Sequence, residues 1–415
     1  MKISDAAEKC GVSIDTIRRW EKKGLIKARR DEAGHRIFEP EEIRRVKGKL
    51  NGEELQPFQV LTSPKSGYTA IDLFAGGGGT ALGLENAGFE HLAVNEQDKW
   101  AAETLRSNRP GWNVIEGDVH NLDLRELAGK VDLVEGGFPC QAFSYAGNKL
   151  GFADTRGTLF HEFARIVEEV RPKVAMGENV RGLLTHDEGR TLKTMVKQLQ
   201  EIGYRVAFRL LRAQYLDVAQ KRERLIILAV RGDLDLPILF PREKDCTVTL
   251  REAIGDVPPG PGMKYNDWKF EIMSQVPEGG NWRDLDDETQ RSYMKRSYFL
   301  GGGKTGMARR LAWNEPSLTL TCNPAQKQTE RCHPTETRPL NVREYARIQS
   351  FPDDWNFAGS ISQQYKQIGN AVPVNLAYHV GIGIRAMLTG EIPDGYEVAE
   401  PVQNIASGSV LINAR

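Results

Sequence analysis

From Tyr68 to about Gly232, short apolar runs of strand length alternate with segments of helical periodicity. Such an alternation closes as a parallel sheet covered on both faces by helices. YTAIDLF, EHLAVNE, WNVIEGD, VDLVEGG, KVAMGEN and RLIILAV are the strand candidates. Between two of them, RGTLFHEFARIVEEV places Leu159, Phe160, Phe163, Ile166, Val167 and Val170 on one helical face before Pro172 stops the helix. The expected fold is therefore α/β, with a doubly wound, mostly parallel sheet. From about Asp235 to Thr337 the pattern dissolves into Pro, Gly and aromatic residues, as in a loop-rich unit, and it returns in VREYARIQ and VNLAYHVGIGIRAML. A chain of 415 residues exceeds one ordinary domain. We expect a small helical domain at 1–55, a linker at 56–67, a sheet domain from 68–237 and 338–390, an inserted domain at 238–337, and a tail at 391–415.

The first fifty residues read as helix, turn, helix. Ser4 is a candidate cap, Gly11 ends the first helix, Ser13 caps IDTIRRWEKK, and Gly24 stops it. LIKARRDEAGHRIF then offers two short β arms about a turn near Gly34. The segment resembles the winged helix-turn-helix of MerR-type regulators and excisionases. That resemblance implies DNA contacts from Thr16, Arg18, Arg19 and Lys22, with Arg29, Arg30, His35 and Arg36 on the wing. Trp20 is expected to pack inside.

The net charge is zero, but its distribution is uneven. Residues 1–50 hold fourteen Lys/Arg against nine Asp/Glu, and residues 291–347 hold eleven against four. Two basic surfaces are thus available to phosphates. The five cysteines are an odd number without a CxxC pair, so neither a disulfide framework nor a zinc knuckle is indicated. We expect no bound metal. RCHP at 331–334 lacks a second ligand pair, and GGGKTG at 301–306 has Tyr298 where a P-loop needs glycine. No apolar run is long enough to span a bilayer and the first residues lack a secretory apolar stretch, so a cytoplasmic address without membrane association is expected.

The chemistry gathers at the strand ends. DLFAGGGG, beginning at Asp72, follows the first strand and opens a helix, which lets a ligand approach the backbone at a helix N-terminus. Glu96 ends the second strand, where a carboxylate can accept ribose hydroxyls, and Asp118 ends the third, within reach of an adenine amino group. Cys140 follows the fourth strand in GGFPCQAFS, Glu178 ends the next in GENV, and Arg222 and Arg224 in QKRER precede another. A nucleoside pocket and a thiol, a carboxyl and guanidinium groups therefore meet at one sheet edge. This set suits methyl transfer to carbon 5 of cytosine, a poor nucleophile until the ring is activated. A thiolate adding to carbon 6 activates it, eased by a carboxylic acid at ring nitrogen 3 and a cation at oxygen 2. Glu178 and Arg224 fit those two roles.

DLFAGGGG, NEQDKW, GGFPCQAFS, RGTLF, ENV, QKRER, RPLNVREYARIQSFP and QIGNAVPVNLA occur here in the order found in bacterial cytosine-5 DNA methyltransferases. Over about residues 68–390 the chain is identified as a member of that family. The resemblance implies a Rossmann-like methyltransferase fold and S-adenosyl-L-methionine as methyl donor. It further implies that Cys140 is the nucleophile, that Glu178 and Asn179 hold the base, and that Gln220, Arg222 and Arg224 support loop and base. Phe74, Ala75, Gly76, Gly78, Glu96, Gln97, Asp118, Val119, Asn370 and Ala371 would surround the cofactor. Ala219 stands where the family usually has Pro before QxRxR, and Gln97 replaces a frequent aromatic. Because carbons 5 and 6 are stacked in a duplex, the target cytosine is turned out of double-stranded DNA.

The inserted domain would be the target-recognition region, with Arg309, Arg310, Gln326, Gln328 and Arg331 as candidate base readers and Ser144 as a further DNA contact. A monomer that methylates DNA beside a companion restriction endonuclease is the expected setting, at a short GC-rich palindrome. A transfer-RNA cytosine-5 methyltransferase and an inert methyltransferase-like regulator are the alternatives. The recognition region and the helix-turn-helix favour DNA over the first, and intact Cys140, Glu178 and Arg224 argue against the second.

Overall fold

A computed structural model of the chain describes residues 1–22, 26, 28–30, 34–38, 43, 46, 58–138, 159–299 and 305–403. Helices α1 (Ile3–Cys10) and α2 (Ile14–Lys22) are joined by a turn in which Gly11 adopts φ +67°, a left-handed conformation that an L side chain resists. The helix begins one residue before Ser4, whose hydroxyl instead bonds Asp5. Ser13 does cap α2, accepting from the Thr16 N–H at 3.2 Å. Strands β1 (Arg29–Arg30) and β2 (Arg36–Ile37) pair antiparallel as the expected wing. Ala6, Ala7, Ile17, Ile26 and Phe38 form the small core, with Trp20 packed against it. Gly24 lies outside the described residues.

The sheet domain holds seven strands in the order β5-β4-β3-β6-β7-β10-β8. They are β3 (Thr69–Leu73), β4 (Glu90–Glu96), β5 (Val114–Glu116), β6 (Leu133–Gly136), β7 (Val174–Val180), β8 (Tyr204–Arg212) and β10 (Glu223–Arg231), after the two-residue β9 (Gln220–Lys221). β3 to β7 run parallel, whereas β10 is antiparallel to both its neighbours β7 and β8. β8, which the sequence reading passed over, carries Arg205, Arg209 and Arg212 among its apolar residues and so does not read as a buried strand. Helices α3 (Gly79–Asn86), α4 (Lys99–Asn108), α5 (Leu159–Val170) and α6 (Arg190–Glu201) connect the strands. The apolar face expected of α5 is buried, Phe160, Phe163, Ile166, Val167 and Val170 included.

Two boundaries move. β11 (Ile238–Pro241) pairs antiparallel with β13 (Tyr396–Ala399), so the start of the supposed insert and part of the supposed tail both belong to the sheet domain. α7 (Leu250–Ile254) likewise packs in the core formed by α10 (Val342–Ile348), with Leu250, Ala253 and Ile254 buried beside Tyr345 and Ala346. The inserted unit has its own core, Ile272, Met273, Val276, Trp282, Leu285, Tyr293 and Met294, on α8 (Asp267–Ser274), α9 (Asp287–Met294) and the turns between them. The stretch Ile361–Thr389 is apolar enough for a membrane, but it consists of α11 (Ile361–Asn370) and α12 (Val374–Thr389) broken at Pro373, and 72% of its apolar window is buried inside the fold.

Candidate active site

A cavity of about 790 Å³ opens at the carboxyl edge of β3, β4, β6 and β7, where a doubly wound sheet leaves its crevice. Nine of the residues expected around a nucleoside line it: Phe74, Ala75, Gly76, Glu96, Gln97, Asp118, Val119, Asn370 and Ala371. Gly78 does not line it and serves the backbone. At φ +88° it turns the chain into α3, and a Cβ there would lie 2.8 Å from both Leu105 and Trp355. Gly79 is pressed harder still, since its Cβ would meet the Val372 carbonyl at 2.1 Å. The glycine run is thus what lets α3 close on the 371–373 turn. Phe74 holds φ +61°, a strained value for a residue with a side chain, of the kind found at binding sites.

Glu96 orders this loop. Its carboxylate accepts the Gly76 N–H and the Asp98 N–H, each at 2.6 Å, while Asp98 caps α4 and pairs with Lys366 at 2.8 Å. Asp118 accepts the His120 N–H and ring, which hold its carboxyl below the usual range, and it is largely exposed at the rim. A nucleoside fits the donors and acceptors at these strand ends, and the glycine cradle leaves its room.

Across the same cavity stand Glu178, Asn179, Arg222 and Arg224. Arg224 Nε lies 2.6 Å from Glu178 Oε1, an ion pair by distance though the two are not aligned as a hydrogen bond. Both are about nine-tenths buried, so neither charge is well screened by water. Asn179 donates its side-chain N–H to the Phe138 carbonyl at 2.9 Å. Phe138 is clamped in turn by Phe160 and Phe163, with ring centroids 5.1 and 5.6 Å away. The backbone is therefore held two residues before Cys140. Cys140 itself, and Ser144, lie outside the described residues.

Gln220 does not line the cavity, and Arg222, which does, spends its terminal nitrogens on backbone carbonyls. Arg222 is buried and donates to the carbonyls of Leu320 and Gly369 at 3.1 and 3.0 Å. Gln220 bonds Gln349 and the Leu320 N–H, both at 2.9 Å. Together they tie β9 to the segments that close the cavity, a supporting role.

Among the expected base readers the structure corrects two. All of Arg310's guanidinium nitrogens donate within the protein, to Val276, His333, Glu336, Met273 and Thr337, and its side chain is buried. Arg331 is likewise buried against the carbonyls of Thr319 and Glu330. Arg310 has no N–H left for a base edge, and both guanidinium groups brace loops whose carbonyls would otherwise be unpaired. Arg309 sits 3.5 Å from Glu315, while Gln326 and Gln328 are exposed. In the N-terminal domain Arg18 and Arg19 are exposed, Arg18 pairing with Asp15 at 3.0 Å. Arg36 is held by Glu21 at 2.5 Å, and the Thr16 hydroxyl bonds Ser13.

The sequence reading passed over Asp72 and Glu135 as functional groups. They pair directly across β3 and β6, are fully buried, and Glu135 lines the cavity. The signal was present: a glutamate inside the apolar run VDLVEGG is out of place unless it has a partner.

The family model of C-5 cytosine-specific DNA methylases matches residues 68–385, and that of MerR family regulatory proteins matches residues 2–38. The type II methyltransferase M.Eco47II of Escherichia coli is 53% identical over 404 residues, covering 93% of this chain and 95% of its own. M.PspPI of Psychrobacter is 55% identical, covering 82% and 84%. Among solved structures, a DNA modification methyltransferase encoded within an E. coli prophage superposes with a TM-score of 0.58 at 24% identity, over 78% of this chain and 99% of that one. Spodoptera frugiperda DNMT2 does so at 0.56 and 17%, over 76% and 99%. At these identities both speak for the fold alone.

Proposed function

The chain belongs to the C-5 cytosine-specific DNA methylase family and is a DNA cytosine-5 methyltransferase, and from that premise we propose how its residues work. The observation that carries the reading is one continuous cavity lined at one end by the nucleoside set and at the other by the paired Glu178 and Arg224. S-adenosylmethionine, when bound, supplies an electrophilic methyl group. Glu96 and the Phe74–Gly79 loop would hold its nucleoside part.

The Cys140 thiolate adds to carbon 6 of a flipped cytosine, forming a C–S bond and pushing electron density toward nitrogen 3. Glu178 donates a proton to nitrogen 3 and Arg224 binds oxygen 2, so that density returns as an enamine at carbon 5. Carbon 5 takes the methyl group. A base then removes the carbon 5 proton, the electron pair re-forms the double bond as the thiolate leaves, and nitrogen 3 returns its proton to Glu178. DNA carrying 5-fluorocytosine blocks that proton loss, so the wild-type enzyme should be trapped as a covalent adduct at Cys140. No adduct, or one at another residue, would remove the mechanism.

The relatives bear the name of type II methyltransferases, which supports a modification enzyme working on DNA; its action as a monomer on double-stranded DNA in the bacterial cytoplasm, beside a companion endonuclease, is part of the proposal. For residues 1–50 a second reading has its own support, the MerR match with α1, α2 and the wing. This domain would bind an operator and regulate transcription. A footprint at a promoter distinct from the methylation sites, lost on deleting residues 1–57, tests it. Footprints at methylation sites alone would reduce the domain to a DNA anchor.

A further inference from the structure

Four carboxyl groups share one face of the sheet at the edge of the cavity. Laterally paired strand residues project to the same face, as do residues two apart on one strand. Asp72 pairs with Val94 and with Glu135, and Glu135 pairs with Met176. Glu96 is two residues beyond Val94 and Glu178 two beyond Met176, so the row runs Glu96, Asp72, Glu135, Glu178 across β4, β3, β6 and β7. Its ends are the two anchors already described, Glu96 for the nucleoside and Glu178 for the base.

The middle pair has no such explanation. Both oxygens of Asp72 and Oε1 of Glu135 are buried without a hydrogen-bond donor from the protein. Two carboxyls cannot satisfy each other except through one shared proton, which leaves the pair with a negative charge. Burial is the largest cause pushing both carboxyls up, followed for Glu135 by the neighbouring Asp72 charge. Buried acceptors without a donor are costly and call for an explanation; a bound cation can offset their negative charge, though not donate a hydrogen bond to them. Glu135 lines the cavity, and Gly137 lies beside both carboxyls: a Cβ there would be 3.5 Å from Glu178 Oε2 and 3.9 Å from Glu135 Oε1, in ordinary contact with each.

Glu96 and Glu178 each stand one strand over and two residues nearer the carboxyl edge, so with a strand spacing of about 4.8 Å and a rise of about 3.3 Å per residue each end lies about 8 Å from the nearer member of the pair. For methyl transfer the sulfur must lie between the nucleoside it carries and the base it alkylates, which is over this pair. We propose that Asp72 and Glu135 form an anionic floor under the donor's sulfonium, by which the pocket tells the charged methyl donor from the neutral thioether product. The inference rests on the methyltransferase reading above. After transfer the positive charge on sulfur is gone, and the buried carboxyls then favour release of the product.

The test is calorimetric titration of the full-length protein with S-adenosylmethionine and, separately, S-adenosylhomocysteine, in wild type, Glu135→Gln, Asp72→Asn and Glu135→Asp. Either neutralising variant should weaken donor binding about tenfold or more while product binding stays within about twofold. Glu135→Asp, which keeps the charge, should keep most of the donor affinity. Losses equal for donor and product, or no change in their ratio in a variant that melts like wild type, would overturn the proposal. A wild-type protein that binds neither compound would instead defeat the methyltransferase reading itself.

Discussion

The sheet edge and the inserted unit both present arginines, and the two regions use them differently. Along β9 and β10 the guanidinium of Arg224 faces the cavity and pairs with Glu178, while that of Arg222, two residues earlier, is turned into backbone carbonyls. In the inserted unit Arg310 and Arg331 are both buried supports, and among the residues expected to read bases Gln326 and Gln328 are exposed. A basic, Arg-rich segment is therefore not by itself a reading surface. What decides is whether loop carbonyls or solvent surround each guanidinium.

This contrast predicts that edge substitutions stop chemistry and leave the fold, whereas substitutions of the buried arginines of the inserted unit weaken the fold. The largest effect belongs to Cys140→Ser, which should lower methyl transfer by about three orders of magnitude or more with DNA and donor binding retained, because a hydroxyl is a far weaker nucleophile than a thiolate. An active serine variant would end the covalent scheme. Glu178→Gln keeps shape but cannot donate the proton, so turnover should fall about a hundredfold or more at unchanged melting temperature. Unchanged turnover would make Glu178 structural.

Arg310→Ala should instead cost about 3 kcal/mol of stability, read by denaturant unfolding, since it strands five acceptors, three of them in fully buried bonds. A variant with full stability and an altered target sequence would show that Arg310 reads bases after all. Gln326→Ala and Gln328→Ala should alter affinity or sequence preference by about 1–3 kcal/mol per lost base contact, with stability within about 0.5 kcal/mol of wild type. Exchanging residues 257–337 for a relative's segment, leaving β11 and α7 with the sheet domain, should transfer the methylated sequence. A folded chimera with the original target would move specificity elsewhere.

The smallest effect concerns pH. Burial, with the nearby Glu96 charge adding to it, pushes Asp72 up to about 7, and burial raises Glu135 also. A carboxyl raised in the folded state binds its proton more tightly than in the unfolded chain. Its contribution is thus complete below the unfolded value of 3.8 and is lost as pH rises through about 7. Wild type should lose more melting temperature than Glu135→Gln between pH 5 and pH 8. Parallel curves would mean the pair is not strained by charge.

Sequence alone determined the parallel β3 to β7 core, the glycine turn and the placement of Glu96, Glu178 and Arg224 at strand ends, because period, turn chemistry and motif order are local properties written along the chain. It also gave the helix-turn-helix and its wing, for the same reason. Tertiary structure decided what depends on distant neighbours. The pairing of β11 with β13 joins segments about 158 residues apart in sequence, which no local pattern reveals. β8 is hidden by its charged residues, and Arg222, Arg310 and Arg331 look like ligands until the carbonyls around them are known. Glu135 stands out in the sequence as an acid inside an apolar run, but its partner Asp72 does not. Only the register of β3 against β6 sets them side by side, out of water and without donors, where their charge acquires a use.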